Sequence, residues 1–286
     1  MQINKVGVVG CGLMGSGICQ VCAEAGYEVL VYDLTQELIN KGLARVKKVL
    51  SRMTARGEIS EQDVHNIVRR INYTTELRDF HDRDLIIEAI IEKIEPKRQL
   101  FSRLDEICNE SAIFASNTSS LSIIDMAAAT KRVEKVLGIH FIAPPTLFRV
   151  VEIVRSVATS DIVIDSARKF CESLGMSVFV TQDFPGFVMN NIQIPMLLQA
   201  VRILERGLAT KEEIDLVMTK GMGHRIGPLA LLDYVGLDVV LSMSQNIYEE
   251  TKDMVWAPPL LLKKMVAAGW LGRKTGRGFY EYAKES

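Results

Sequence analysis

The sequence contains no uninterrupted apolar run approaching the roughly 20 residues of a membrane span, which excludes a helical membrane segment. It also lacks a charge bias. With 34 Lys and Arg against 35 Asp and Glu, no long-range field steers it toward nucleic acid or an anionic membrane, and neither partner is expected. Cysteines are few: Cys11, Cys19, Cys22, Cys108 and Cys171 are odd in number and have no framework spacing, which excludes a disulfide scaffold. Cys19 and Cys22 form a C-x-x-C, but inside an apolar helical stretch. The helix dipole lowers a thiol pKa only at the N-terminus, so the two read as small core residues. The four histidines, His65, His81, His140 and His224, show no metal-ligand spacing, and no metal site is expected. An apolar β-branched run starts as early as Val6, which leaves no room for a signal peptide and points to a cytoplasmic protein.

What is present is concentrated in the first 33 residues. Lys5-Val6-Gly7-Val8-Val9 is a strand pattern, Gly10-Cys11-Gly12-Leu13-Met14-Gly15 follows it and opens an apolar helix, and Glu28-Val29-Leu30-Val31-Tyr32 is a second strand ending at Asp33. A G-x-G-x-x-G alone is weak, but one set between strand and helix with an acid at the end of the next strand marks a dinucleotide site. Gly10 makes the tight turn, Gly12 lets pyrophosphate approach the backbone, and Gly15 allows close helix–sheet packing. The phosphates would meet free N–H groups at the positive end of the helix, around Leu13 and Met14. Asp33 would accept hydrogen bonds from the ribose hydroxyls and repel a 2′-phosphate, so the expected cofactor is NAD rather than NADP.

A length of 286 residues predicts two domains. After Asp33, residues 36–56 and 60–70 read as two helices joined at Arg56-Gly57-Glu58, with Ser60 as N-cap, an insertion where one crossover helix would suffice. This hairpin carries Lys41, Arg45, Lys47, Lys48, Arg52, Arg56, Arg69 and Arg70 and predicts a basic face suited to an anionic handle on a substrate. Further strands follow at 84–89, 112–116, 136–141, 150–154 and 177–180, alternating with helices, as in a doubly wound α/β sheet. Asn117, Ser119 and His140 fall at or just past strand ends, where such folds place ligands. Beyond Asp183-Phe184-Pro185-Gly186 the pattern turns helical, over 187–205, 211–220, 229–250 and 259–268. The division expected is a Rossmann-type domain over 1–185 and an all-helical domain over 186–286. The mostly apolar helices of the latter predict a homodimer that covers their remaining surface.

At these residues the chain resembles the L-3-hydroxyacyl-CoA dehydrogenases, including the bacterial 3-hydroxybutyryl-CoA type. The resemblance rests on the glycine-rich turn, Ile87-Glu88-Ala89-Ile90-Ile91-Glu92, Ala115-Ser116-Asn117-Thr118-Ser119-Ser120-Leu121, His140-Phe141, Val151-Glu152 and Pro185-Gly186-Phe187-Val188-Met189-Asn190. Gly227-Pro228-Leu229, Gly236-Leu237-Asp238 and 271–280 extend it nearly to the end. It implies a Rossmann domain followed by a helical dimerisation domain, and NAD-dependent oxidation of a 3-hydroxyacyl thioester. It further implies His140 as general acid/base with Glu152 as its partner, Ser119 and Asn190 as hydrogen-bond donors to the reacting oxygen, and Glu92, Lys97 and Asn117 as cofactor-lining residues, with Lys274 approaching the cofactor.

Two departures bear on the substrate. The family usually reads H-F-F-N-P after the histidine, whereas this chain has His140-Phe141-Ile142-Ala143-Pro144, without the amide. Where the family often carries two adjacent lysines in the hairpin, one place here is Ala55. The expected substrate is an ordinary 3-hydroxyacyl-CoA of the 3-hydroxybutyryl-CoA type, with a hydroxyacyl group tethered to an acyl carrier protein, of the glyceryl-carrier type, as the alternative. A basic hairpin suits either handle, because both are acidic.

Overall fold

The computed structural model describes residues 2–283 and divides into two compact units between Phe187 and Val188. In the first unit the order is β1 (Lys5–Val9), α1 (Leu13–Glu24), β2 (Glu28–Tyr32), α2 (Gln36–Ala55), α3 (Glu61–Arg69), β3 (Ile71–Thr74) and β4 (Leu85–Glu88). It continues with α4 (Ile94–Ile107), β5 (Ile113–Ser116), α5 (Ile123–Ala127), β6 (Val136–Phe141), β7 (Val150–Arg155), α6 (Asp161–Ser173) and β8 (Ser177–Gln182). The eight strands form one sheet in the order β3-β2-β1-β4-β5-β6-β7-β8. Strands β1 to β6 are parallel, β7 runs antiparallel to β6, and β8 runs parallel to β7. The order reverses between β1 and β4, the switch point where open α/β sheets bind ligands beyond the carboxyl ends of the strands.

Alternation along the strands feeds two apolar layers. Val6, Val8, Val29, Val31, Leu85 and Ile87 face Ile18, Cys22, Leu50 and Phe170 on one side of the sheet. Val9, Ile86 and Phe114 face Phe101, Leu104 and Met126 on the other. All five cysteines are free and buried, and burial pushes the Cys11 thiol up to about 11, far from a reactive thiolate.

The inserted helices start where the sequence places their caps. The Thr35 hydroxyl accepts from Leu38 N at 3.3 Å, and Ser60 and Asp63 close a reciprocal capping box. Strand β3 escapes the sequence reading because it is four residues long, Ile-Asn-Tyr-Thr, with only Ile71 buried. The antiparallel turn at β7 is likewise invisible in hydrophobic patterning, since both directions give the same alternation.

The second unit contains α7 (Met189–Glu205), α8 (Lys211–Leu216), α9 (Pro228–Val235), α10 (Leu237–Thr251) and α11 (Leu260–Ala267) around Leu197, Leu198, Leu229, Leu232 and Trp256. Two helical expectations are corrected. The stretch 229–250 is two helices, because Gly236 at φ 106° breaks the path between α9 and α10 in a conformation closed to other residues. The stretch 211–220 is α-helical only to Leu216 and then widens into a π-turn over Val217–Gly221.

Candidate active site

The glycine-rich turn leaves β1 at Gly10, whose φ of 98° requires glycine. A Cβ on Gly15 would stand 1.7 Å from the Gly10 carbonyl oxygen, so the first turn of α1 lies directly on the loop. A Cβ on Gly12 would meet nothing within 4 Å: that glycine faces open space. The Asp33 carboxylate accepts from Cys11 N at 2.8 Å and from Leu34 N at 2.7 Å, tying the end of β2 to the turn. Together Gly10, Gly12, Asp33, Leu34, Ala89 and Ile90 border a cavity of about 590 Å³, within the range of small-molecule sites. A strand-end cavity with a carboxylate at its lip and a glycine whose side-chain space is empty fits an adenine dinucleotide.

At the end of β6, His140 Nδ1 donates to Glu152 Oε2 at 2.6 Å. The two residues are direct partners in the antiparallel β6–β7 ladder, so their side chains emerge side by side on one face of the sheet. Both are buried, Glu152 completely. The hydrogen bond uses Nδ1 and leaves Nε2 as the ring nitrogen available to a substrate. Phe187 packs its ring on His140 with centroids 5.7 Å apart. It does so at φ 48°, a left-handed conformation that is uncommon outside glycine and is tolerated where surroundings fix it.

The third group lies past β4 and β5. Lys97, 1 % exposed, places Nζ 2.6 Å from Glu88 Oε1 and 3.2 Å from Glu92 Oε2. Glu92 Oε1 accepts from the Thr118 hydroxyl at 2.5 Å, from Ser119 N at 2.9 Å and from the Ser119 hydroxyl at 3.4 Å. Burial pushes the Glu92 carboxyl up, but the Lys97 ammonium, the Thr118 hydroxyl and the Ser119 N–H outweigh it and hold the group below the usual carboxylate range. Asn117 does not point away from the sheet: its Oδ1 accepts from Phe141 N at 2.9 Å, pinning the end of β6 beside His140.

In the second unit Asn190 is buried in the first turn of α7, and Lys274 lies 2.6 Å from the Asp238 carboxylate. That carboxylate stands in the first turn of α10, so Lys274 has an acidic partner within its own unit.

Residues 5–184 match the family model described as 3-hydroxyacyl-CoA dehydrogenase, NAD binding domain, and residues 186–282 match that of the 3-hydroxyacyl-CoA dehydrogenase C-terminal domain. The chain belongs to the 3-hydroxyacyl-CoA dehydrogenase family. It is 41% identical over 286 residues to a probable 3-hydroxybutyryl-CoA dehydrogenase of Bacillus subtilis, covering 100% of both chains. To the mitochondrial hydroxyacyl-coenzyme A dehydrogenase of Mus musculus it is 38% identical over 287 residues, covering 98% of this chain and 91% of that one. The solved (S)-3-hydroxybutyryl-CoA dehydrogenase of Ralstonia eutropha superposes with a TM-score of 0.96 at 40% identity, covering 99% of this chain and 100% of the other. This dehydrogenase is thus an NAD-dependent oxidoreductase with a Rossmann unit and a helical C-terminal unit.

Two residues of the dehydrogenase's site escape the sequence reading. Phe187 has no signal beyond its place after Pro185-Gly186, because packing against His140 is a tertiary contact. Glu88 has one: an acid that ends the apolar strand Leu85-Ile86-Ile87 and is wholly buried must have a partner, and Lys97 supplies it nine residues on.

Proposed function

We propose that this dehydrogenase interconverts a short 3-hydroxyacyl-CoA, of the 3-hydroxybutyryl-CoA type, and the 3-oxoacyl-CoA. Bound NAD supplies the hydride acceptor. Gly10, Gly12, Leu13, Met14 and Gly15 hold its pyrophosphate, Asp33 its ribose hydroxyls, and Glu92 and Asn117 line its inner end. As hydride leaves carbon 3, the hydroxyl proton passes to His140 Nε2, and Glu152 fixes the tautomer and stabilises the imidazolium that forms. Ser119 and Asn190 donate hydrogen bonds to the oxygen and stabilise negative charge on it in the reverse direction. The observation that carries this reading is the buried 2.6 Å contact of His140 with Glu152, register partners at a strand end.

The handle is assigned to coenzyme A. The relatives quoted are named for CoA thioesters. On the hairpin, Lys47, Lys48 and Arg52 are exposed with no ion-pair partner among the described residues, whereas Lys41 is engaged by Glu37 and Arg56 by Glu58. Lys48→Glu with Arg52→Glu should raise KM for acetoacetyl-CoA about tenfold and leave kcat nearly intact, because a remote handle is bound alike in ground and transition states. Steady-state NADH oxidation with acetoacetyl-CoA and with acetoacetyl-carrier protein tests both points. Preference for the carrier-protein substrate overturns the coenzyme A assignment, and an unchanged KM in the variant overturns the hairpin's part in holding the handle.

The second unit exposes Leu208, Leu216, Val217 and Met222 and has a groove of about 390 Å³ lined by Met196, Ala200, Ile203, Ile214 and the exposed Val217. This surface supports a homodimer, which sedimentation equilibrium tests. No helix among the described residues is long and apolar enough to cross a membrane. Five free cysteines suit a reducing compartment, and the cytoplasm is the proposed location.

A further inference from the structure

We propose that Glu88 is a positioning residue for the reaction, fixing through Lys97 and Glu92 the backbone N–H of Ser119 and with it the loop that presents the Ser119 hydroxyl, whose weak 3.4 Å bond to Glu92 is given up when the hydroxyl turns to the reacting oxygen. The proposal rests on the reading above that Ser119 bonds the reacting oxygen.

Glu88 is fully buried at the carboxyl end of β4, and both its oxygens are engaged. Oε1 accepts from Lys97 Nζ at 2.6 Å and from Ile90 N at 2.7 Å, and Oε2 accepts from the Ser116 hydroxyl at 2.6 Å. From each oxygen a route leads to the loop that carries Ser119. On one side the Ser116 hydroxyl accepts from Thr118 N at 3.2 Å. On the other, Lys97 reaches Glu92 at 3.2 Å, and Glu92 Oε1 takes the Thr118 hydroxyl, the Ser119 N–H and the Ser119 hydroxyl. Thr118 Oγ1 then accepts from Leu121 N at 3.0 Å and closes the turn. The loop is held at both ends of a closed circuit anchored in the sheet at Glu88 and at its β5 ladder partner Ser116.

Stability does not explain this arrangement. A buried ion pair replaced by apolar side chains of similar volume is often neutral or stabilising, because desolvation consumes the Coulombic gain. What an apolar pair cannot do is aim Glu92. With Lys97 buried and its ammonium directed at two carboxylates, a bound dinucleotide meets the rim carboxylate of Glu92 rather than the lysine. Within the cofactor-lining group that the family resemblance implies, Lys97 therefore acts by positioning Glu92.

The test is a double-mutant cycle between Glu88→Gln and Ser119→Ala, read as kcat with acetoacetyl-CoA and as Kd for NADH. A residue acting through another loses its effect once that other is removed, so Glu88→Gln should lower kcat at least about tenfold alone and less than about twofold in the Ser119→Ala background. The NADH Kd should weaken by no more than about threefold: Glu92 at the inner end of the cofactor is disturbed, but the glycine-rich turn and Asp33 still hold the pyrophosphate and ribose. If the Gln variant does not fold, Glu88→Leu with Lys97→Met removes both charges together, and the same readouts apply. Equal losses in both backgrounds, or wild-type kcat in Glu88→Gln, overturn the proposal while leaving the Ser119 reading intact. Wild-type turnover in Ser119→Ala overturns the Ser119 reading itself.

Discussion

Glu92 in the first unit and Asp233 in the second each accept hydrogen bonds from the chain and from a hydroxyl, yet their carboxyls are displaced in opposite directions. Glu92 faces the Lys97 ammonium, which outweighs burial and lowers it. Asp233 accepts from Phe279 N and Tyr280 N, both at 2.8 Å, and from the Tyr282 hydroxyl at 3.0 Å. These donors are neutral, so burial, helped by the Asp215 carboxylate, prevails and raises it. The chain folds tightly around Asp233: a Cβ on Gly278 would stand 1.9 Å from Oδ1, and one on Gly272 would stand 2.3 Å from its carbonyl oxygen. Asp215 does the same for the start of α9, accepting from Leu229 N and Ala230 N. A displaced pKa is a reason to suspect a functional site. The contrast shows the sorting criterion: Glu92 sits at a strand end beside the loop of a proposed reacting group, whereas Asp233 fastens the end of the chain to a helix.

The largest effect should come from the chemistry of the first unit. His140→Ala should lower kcat by about 10²–10⁴-fold, the usual contribution of a general base, with NADH affinity nearly unchanged. Wild-type turnover in that variant would remove the acid–base assignment. Asp233→Ala should act on folding instead. It strands the N–H groups of Phe279 and Tyr280, at about 1–3 kcal/mol for each group left unsatisfied, and lowers the thermal midpoint while the Kd for NADH holds. A loss of NADH affinity without a loss of stability would break the comparison.

A finer division lies within the glycine-rich turn. Gly12→Ala has room in the protein, so it should weaken NADH binding at least about tenfold with little change in thermal midpoint, because the added methyl occupies the space that pyrophosphate approaches. Gly15→Ala meets the Gly10 carbonyl at once and should unfold the turn. Equal stability losses in the two variants would contradict this separation of roles. The smallest effect is a difference of sign with pH. Glu92 favours its ionised form in the folded state, so its stabilisation is present above the ordinary carboxylate pKa and is lost as pH falls through its lower folded value. Asp233 favours its protonated form, so its contribution is present below the ordinary value and declines as pH rises through the raised one. Carboxyl-carbon NMR titration should find Glu92 titrating below Asp233; the reverse order would overturn both electrostatic assignments.

Much of the first unit is legible in the sequence because its signals are local. The glycine-rich turn, Asp33, the Ser60 cap and the β-branched runs each act within a few residues of chain. Asn117, Ser119 and His140 are legible as strand-end polar residues, although the sequence does not reveal that Asn117 spends its carbonyl on Phe141 N. What escapes depends on distant partners. The four residues of β3 are too short and polar to announce themselves, and the direction of β7 has no local signature. The burial of Lys97 follows only from Glu88 lying beneath it. In the second unit the reading of one helix over 229–250 follows apolar periodicity through Gly236, whose positive φ is set by the turn it makes and not by its neighbours in sequence.

The pairing of β6 with β7 has one more consequence. His140 and Glu152 are joined by the ladder itself, whereas the eight residues 142–149 between the strands are a loop, in which Ala143 is exposed and Pro145 packs against Gly17. An insertion or deletion confined to that loop changes the rim beside the histidine and leaves the ladder in register. A single residue added inside either strand turns that strand's member of the pair to the opposite face. The acid–base pair and the loop next to it can therefore diverge at different rates. For an engineer seeking a new acyl group, 142–149 is a replaceable cassette clamped between two immovable ends.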